Sequence, residues 1–206
     1  MPVAISGDGT LTGIAVGGLP DGIVDADMLA SNSVQTVKIV DSAVTAAKAT
    51  GSVKGITEYD MWRINSSANL AGDTTISANW ERVDTDFEKI GTGLTESSGI
   101  FTFPSTGKWL IGAFAYIWTS AAPDYAGVAI YLSTDSGGSY GKRTETLTSI
   151  NDNEFAGSVF STVCLDITNY STARMKLVSI TATTVQYNGH TDQNRTGLWA
   201  MKLGDT

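Results

Sequence analysis

The single histidine and the single cysteine are the side chains that most often carry nucleophilic or metal chemistry, and neither has suitable neighbours in the sequence. His190 lies in the polar stretch NGHTD, and no nucleophile-elbow sequence accompanies it, so a catalytic triad is not predicted. Cys164 lies in the alternating stretch SVFSTVCLDI, which predicts a strand with a core thiol. The two side chains are too few for a four-ligand zinc site. We therefore expect no catalytic residue, no cofactor and no bound metal, with His190 in an exposed loop.

Two groups of carboxylates have the spacing that places them on one face of a strand. They are Glu58 with Asp60, and Asp84 with Asp86. Enzymes that cleave polysaccharides use paired acidic residues in a groove, so these positions are the candidates for hydrolysis. Arg82 and Lys89 flank the second group in the sequence. Ordinary surface ion pairing is therefore the expected role.

Residues 133–140, STDSGGSY, fit the S-x-D-x-G-x-S-aromatic motif that sialidase propellers repeat several times. One copy in a chain of this length predicts a hairpin turn instead, in which Asp135 accepts hydrogen bonds from nearby backbone N–H groups. Three further carboxylates, Asp152, Glu154 and Asp192, lie in predicted loops, and calcium accepts oxygen ligands of this kind. Solvated loop carboxylates are the simpler interpretation, and we favour it.

From residue 56 onward the sequence alternates with period two, and all five tryptophans lie in this half. Clusters of Gly, Ser, Asn and Asp bound roughly ten such segments, which is the number expected of a double-sheet jelly roll. The chain has only 17% charged residues and 22 glycines among 206 residues, which also favours turn-rich all-β structure. We expect residues 56–206 to form a jelly-roll head. The predicted segments are ITEYDMWRI, TTISANWERVD, FEKIG, GIFTFPS, KWLIGAFAYIWTS, AGVAIYLST, KRTETLTSI, FAGSVFSTVCLDIT, ARMKLVSITATTVQYN and GLWAMKL.

Residues 21–50 form three aligned decades, DGIVDADMLA, SNSVQTVKIV and DSAVTAAKAT. A fixed period in a short segment indicates a unit that must stack on partner chains, because it cannot bury its apolar columns alone. We interpret residues 21–55 as a stalk with brief one-turn helices, and a continuous helix over 27–50 is the alternative. The glycine-rich residues 1–20 are expected to be anchor strands for a partner surface. The columns predicted to face a threefold axis contain Val24, Val34 and Val44, and Leu29 and Ile39.

The stretch GIFTFPSTGKWLIGAFAYI resembles the central hairpin of complement/tumour-necrosis-factor-like jelly rolls, in which an aromatic–x–aromatic strand ends in Pro, turns through Gly and continues into an apolar strand. TGLWAM, at 196–201, is similar to their closing strand beside the threefold axis. This resemblance covers residues 57–205 and implies a homotrimer. On the closing strand we expect Trp199 and Met201 to form the more deeply buried face and to lie at the subunit seam, because Lys202 marks the opposite face. Separately, the N-terminal sequence resembles tail-fibre or head-fibre proteins of bacteriophages.

The sequence therefore predicts a structural virion protein of a bacteriophage, located on the exterior of the particle after synthesis in the host cytoplasm. Its trimeric head would bind the host surface or decorate the particle, and residues 1–20 would bind other virion proteins. The alternatives are a capsid decoration or cement protein without a receptor role and, less favoured, an envelope-polysaccharide hydrolase. A net charge of −8 disfavours nucleic acid, and no apolar run is long enough for membrane insertion. The candidate contacts for a host glycan or protein are Tyr125, Tyr140, Tyr187 and His190.

Overall fold

The computed structural model describes residues 55–206, together with Ile39, Ala43 and Val44. Residues 55–206 form thirteen strands in two antiparallel sheets, and no helix occurs among these residues. The all-β jelly-roll prediction is therefore confirmed for this part of the chain. The strands are β1 (Tyr59–Ile64), β2 (Ala68–Leu70), β3 (Thr74–Thr75), β4 (Trp80–Arg82), β5 (Thr95–Ser97), β6 (Ile100–Thr102), β7 (Gly107–Thr119), β8 (Asp124–Ser133), β9 (Gly141–Ile150), β10 (Phe155–Ile167), β11 (Arg174–Thr181), β12 (Val185–Tyr187) and β13 (Gly197–Gly204).

The first sheet has seven strands and is built around β7. One edge of β7 pairs with β10 along its whole length, from Thr119 opposite Phe155 to Gly107 opposite Ile167. Its other edge pairs first with β13 and then, near its end, with β12. Strands β1 and β4 continue the sheet beyond β13, while β2 continues it beyond β12. Strand β7 is therefore an interior strand of this sheet, paired along both edges.

The second sheet has six strands in the order β5-β6-β11-β8-β9, with β3 added to β11. Alternate residues of both sheets point between them and form a single large apolar core. Trp109, Phe101 and Ile130 are among its buried members. Because side chains alternate across each strand, the remaining residues of every strand face away from the partner sheet. The chemistry of these outward residues determines which surfaces of the head can bind a partner.

Several strand predictions need correction at their boundaries. TTISANWERVD forms two short strands, because Asn79 has a φ of 66° and turns the chain just before Trp80. FEKIG contributes only an isolated bridge between Tyr59 and Ile90. ARMKLVSITATTVQYN divides into β11 and β12, and strands β2 and β5 were not predicted at all. Short edge segments of this kind carry too few residues for a periodic pattern to show.

The anchor and stalk predictions lie almost entirely outside the described residues. This applies to Val24, Leu29 and Val34, to the one-turn helices and to the anchor strands of residues 1–20. Two members of the predicted apolar columns are described, and the side chains of Ile39 and Val44 are both exposed. Their placement at a threefold axis stays a prediction.

Candidate functional site

The outer face of the seven-stranded sheet is apolar, although it faces away from the core. On β7 the outward residues include Leu110, Phe114, Tyr116 and Trp118, alternating with buried positions. The Trp118 side chain keeps 41% of its surface exposed. Exposed aromatic residues grouped on one sheet face are uncommon on a monomeric soluble protein and mark an interaction surface. We call this outer face the assembly face.

The register of neighbouring strands extends the assembly face on both sides of β7. On β10, Phe160 lies opposite Phe114 and is 54% exposed. On β13, Trp199 lies opposite Gly112, and a Cβ atom at Gly112 would overlap the indole ring. Glycine at this position therefore lets the Trp199 ring lie flat across β7. Apolar rings therefore lie on the outer side of three neighbouring strands, and on β10 Phe160 is flanked by Ser158 and Thr162.

An open cavity of about 310 Å³ lies at the β1 side of the assembly face. The Tyr59 ring has its centroid 5.5 Å from that of Phe87 and 6.4 Å from that of Trp199. Partial burial raises the pKa of the Tyr59 hydroxyl. The cavity walls are almost entirely apolar, which suits an apolar side chain better than a polar substrate. They are formed by Ile56, Tyr59, Ile90, Trp199 and Met201.

The two faces of β13 are the reverse of the sequence prediction. Leu198 and Ala200 are buried between the sheets, whereas Trp199 is only half-buried and faces outward. Lys202 shares the inner face, but its Nζ reaches Asp205 at 2.7 Å at the rim of the sandwich. A lysine near a strand end can thus follow a buried face and still keep a charged partner. The expectation that Trp199 and Met201 lie at a subunit seam stays a prediction, and their outward direction is compatible with it.

Cys164 also differs from its prediction, because it is exposed rather than buried in the core. It lies opposite Leu110 in the pairing of β10 with β7, and therefore on the outer side of the sheet. The alternation of SVFSTVCLDI was read correctly as a strand. Which of its two faces is inward could not be read from that pattern, because both faces carry apolar residues.

An ion pair between a buried arginine and an exposed carboxylate borders the assembly face on β1. Arg63 is only 1% exposed, and its Nη2 donates to Asp84 Oδ1 at 2.6 Å and lies 3.6 Å from Glu81. The hydrogen bond from Arg63 lowers the pKa of the Asp84 carboxyl. Among residues 55–206, the Nε of Arg63 and the Oε2 of Glu81 are buried without a hydrogen-bond partner. Asp84 is therefore bound to arginine and is not available as a general base.

Asp60 is buried, which corrects the expectation of a surface ion pair. Its carboxylate lies 3.0 Å from Arg82 Nε, and it also accepts bonds from Leu94 N and Trp62 Nε1. The Arg82 guanidinium lies 4.5 Å from the centroid of the Trp62 ring. Glu58 is separately occupied as an acceptor for the backbone N–H of Gly93. These carboxylates hold β1 against neighbouring segments and do not line a groove.

The segment 133–140 forms the predicted turn between β8 and β9. Asp135 accepts from the backbone N–H of Ser139 at 2.9 Å and from its hydroxyl at 2.7 Å. The Ser133 hydroxyl donates to the same carboxylate and accepts from Gly137 N. Hydrogen bonds from Ser133 and then Ser139 lower the pKa of Asp135. The turn interpretation of this motif is thus confirmed.

The four candidate receptor contacts have different surroundings. Tyr187 is a correction, because it is buried on β12 and its hydroxyl donates to the Gly127 carbonyl at 2.6 Å. Burial raises its pKa strongly. His190 is half-buried rather than exposed, which corrects the expectation of an exposed loop histidine, and its Nδ1 accepts from Asp192 N at 3.0 Å. Tyr125, at the start of β8, is 40% exposed, and Tyr140 is half-buried at the end of the 133–140 turn. Tyr125 and Tyr140 therefore stay open to a ligand, while Tyr187 does not.

The described residues contain neither a cluster of metal-ligating side chains nor a helix that could span a membrane. Residues 55–206 bring together no group of three or more His, Cys, Asp and Glu side chains that could hold a metal ion, and this includes Asp152, Glu154 and Asp192. No helix in the same residues has the length and hydropathy needed to cross a membrane.

No protein-family model matches the chain, and no curated protein matches it in sequence. Solved structures do match its fold. The structure of Eiger TNF from S. frugiperda has 15% sequence identity and a TM-score of 0.58, covering 72% of this chain and 93% of its own. Murine APRIL has 13% identity and a TM-score of 0.51, covering 71% of this chain and 98% of its own. At these identities the likeness shows the fold alone: residues 55–206 form a jelly roll of the tumour-necrosis-factor type.

Sequence reasoning missed most of the assembly face. Trp199 and Met201 were proposed for a seam, whereas Phe114, Trp118 and Phe160 were not. The signal was present in KWLIGAFAYIW, in which both alternating sets of residues are apolar. A strand that is apolar on both faces needs cover on both faces, and a second sheet supplies cover for only one.

Proposed function

We propose that the chain is a non-enzymatic binding protein that assembles as a homotrimer through the assembly face. The observation that carries this proposal is the exposed aromatic surface of β7 and β10, which includes Trp118 and Phe160. Fully burying a phenylalanine or leucine side chain contributes about 1.5–3 kcal/mol. Several such side chains on each subunit offset the cost of association, which is roughly 4–15 kcal/mol for two proteins. The tumour-necrosis-factor-type fold and the apolar columns in the sequence repeats of residues 21–50 both support a trimer.

In finer terms, we propose a structural virion protein of a bacteriophage, a fibre or appendage on the exterior of the particle. Residues 1–20 attach it to another virion protein, residues 21–55 form the stalk, and the head binds the host surface. This assignment rests on the repeats and the N-terminal resemblance in the sequence. A capsid decoration protein without a receptor role is the alternative, and the exposed Tyr125 together with the half-buried Tyr140 favours the receptor-binding form. A polysaccharide hydrolase is disfavoured, because Asp60 and Asp84 are held by arginine side chains.

Light scattering on the full-length protein tests the assembly. We expect a mass of three times 21.6 kDa. Phe160→Glu should reduce the mass to that of one subunit with the β-rich circular dichroism spectrum retained, because an unpaired carboxylate cannot be buried at an apolar interface without a large cost. Leu147→Glu is the matched control, since Leu147 is 45% exposed on β9 of the other sheet. A Phe160→Glu protein that remains trimeric would show that the face does not hold the subunits together.

A further inference from the structure

On the six-stranded sheet, three adjacent strands place lysines around two tyrosine rings. The register aligns Lys176 on β11 with Tyr131 on β8, and Tyr131 with Lys142 on β9. The Nζ of Lys176 lies 4.3 Å from the centroid of the Tyr140 ring and 5.8 Å from that of Tyr131. The Nζ of Lys142 lies 5.8 Å from the Tyr131 ring on its own side. We call Tyr131, Tyr140, Lys142, Arg174 and Lys176 the basic aromatic patch.

The basic aromatic patch keeps positive charge in a chain whose net charge is −8. Lys142 is paired with Glu145, but neither Arg174 nor Lys176 has a carboxylate within ion-pair distance among residues 55–206. Arg174 Nη1 donates to the carbonyl oxygens of Ser171 and Ala173, which carry no net charge. The Asp135 carboxylate near Tyr140 accepts hydrogen bonds from Ser133 and Ser139 within its turn and keeps its negative charge. Arg174 and Lys176 are therefore the two cations of the patch without a direct carboxylate partner, and they can attract an anionic group.

A polar cavity of about 140 Å³ lies beside this patch. The turn between β8 and β9 contacts both, since Thr134 lines the cavity and Tyr140 closes the turn. Ser136 N also donates to the Thr172 carbonyl at 2.9 Å, which joins the turn to the loop before Arg174. The lining combines hydroxyl, amide and carboxylate groups with apolar surface from Ile167 and Ala173, and its polar groups can bond to a ligand with several hydroxyls. The lining residues are Thr134, Asp166, Ile167, Thr168, Asn169, Thr172 and Ala173.

We propose that the basic aromatic patch and the adjacent polar cavity together bind an acidic saccharide. The ligand's carboxylate or sulfate lies against Arg174 and Lys176, because guanidinium and ammonium groups make charge-assisted hydrogen bonds to such anions. Because the Lys176 ammonium lies over the Tyr140 ring, the ring holds this charge in place at the site. The sugar's own hydroxyls bond to the threonines and Asn169 of the cavity. This site would supply the ligand contact of the proposed host-binding role. It depends on the proposed trimer only for avidity, because three copies of the site on one head would raise the overall affinity.

The test uses the full-length protein and saccharides short enough to occupy one subunit. Ligand-observed saturation-transfer NMR compares a heparin-derived tetrasaccharide, trigalacturonic acid and neutral maltotetraose. We expect saturation-transfer signals for an acidic probe and none for maltotetraose. A stronger signal for the heparin tetrasaccharide would indicate that the site recognises sulfate, and a stronger signal for trigalacturonic acid would indicate that it recognises carboxylate. Arg174→Gln and Lys176→Gln should each weaken binding about tenfold, the size expected for one charge-assisted contact. Lys89→Gln is the control, because Lys89 lies between β4 and β5, outside the patch, and its Nζ donates to the Gly91 carbonyl. Both the saccharide affinity and the thermal midpoint of this variant should equal those of the parent.

Four results would overturn the proposal. They are the absence of any signal at millimolar acidic saccharide, equal binding of maltotetraose, equal competition by hexaglutamate, and Arg174→Gln and Lys176→Gln proteins that bind like the parent. The mass of each variant is measured in parallel. A variant that stays trimeric and fails to bind identifies the saccharide site, whereas a monomer that still binds contradicts the assembly proposal alone.

Discussion

At the scale of single residues, position on one strand decides the role more than residue type does. Leu198 and Trp199 are neighbours on β13, yet Leu198 is buried between the sheets and Trp199 faces outward over Gly112. Cys164 and Leu165 differ in the same way on β10. The sequence predicted both strands correctly and assigned the faces of both wrongly. When each face of a strand carries apolar residues, alternation alone cannot tell which face is inward.

Substitutions at these neighbouring positions on β13 should therefore separate folding from assembly. Leu198→Ala leaves a cavity in the core, and we expect it to lower the free energy of unfolding by about 2–5 kcal/mol while the protein stays trimeric. Trp199→Ala removes a half-exposed ring, so we expect dissociation on dilution with little change in the stability of the head. Urea denaturation and light scattering over a dilution series measure the two effects. If Trp199→Ala stays trimeric at the lowest concentration and unfolds as easily as Leu198→Ala, the outward ring is part of the core.

At the scale of elements, the long strands were predictable and their partners were not. The pattern of KWLIGAFAYIWTS and of FAGSVFSTVCLDIT indicated β7 and β10, each thirteen residues long. Their pairing joins residues far apart in the chain, such as Gly107 and Ile167, and no local pattern specifies such a register. The short elements failed for another reason. Strand β4 is held by the buried pair of Asp60 and Arg82, which looks in the sequence like ordinary surface charge.

The pair between β1 and β4 gives a prediction at this scale. Asp60→Asn keeps the shape of the side chain but removes the negative charge beside Arg82. Asp60 is buried and accepts bonds from Trp62, Arg82 and Leu94, whereas the Arg82 side chain is 35% exposed and stays partly hydrated. We therefore expect a loss of about 1.5–3 kcal/mol in the free energy of unfolding, the size of lost hydrogen bonds to a charged group. Asp166→Asn is the control, since its pair with Lys108 is half-exposed and worth roughly 0–1 kcal/mol. Urea denaturation measures both, and equal midpoints for the two variants would contradict a structural role for Asp60.

At the scale of the whole molecule, two sheets give the head two unlike outer surfaces. The seven-stranded sheet carries the assembly face, with Trp118 and Phe160, and the six-stranded sheet carries the basic aromatic patch. A trimer that buries the first surface leaves the second available on each subunit, provided that the patch lies outside the seam. This separation allows one small fold to assemble and to bind at the same time. The sequence predicted the division into anchor, stalk and head, which stays a prediction.

Truncation tests which part of the chain drives assembly. The core cluster lies wholly within residues 62–200, so a 56–206 protein contains it complete and should fold alone. We expect this protein to be trimeric as well, because it also contains the assembly face. Deleting residues 1–20 from the full chain should leave the trimer mass unchanged and abolish attachment to the particle. Light scattering and incorporation into virions measure the two properties. If the 56–206 protein is folded but monomeric, the repeats of residues 21–55 and not the assembly face drive trimer formation. If the protein that lacks residues 1–20 is still incorporated into virions, residues 1–20 are not the anchor.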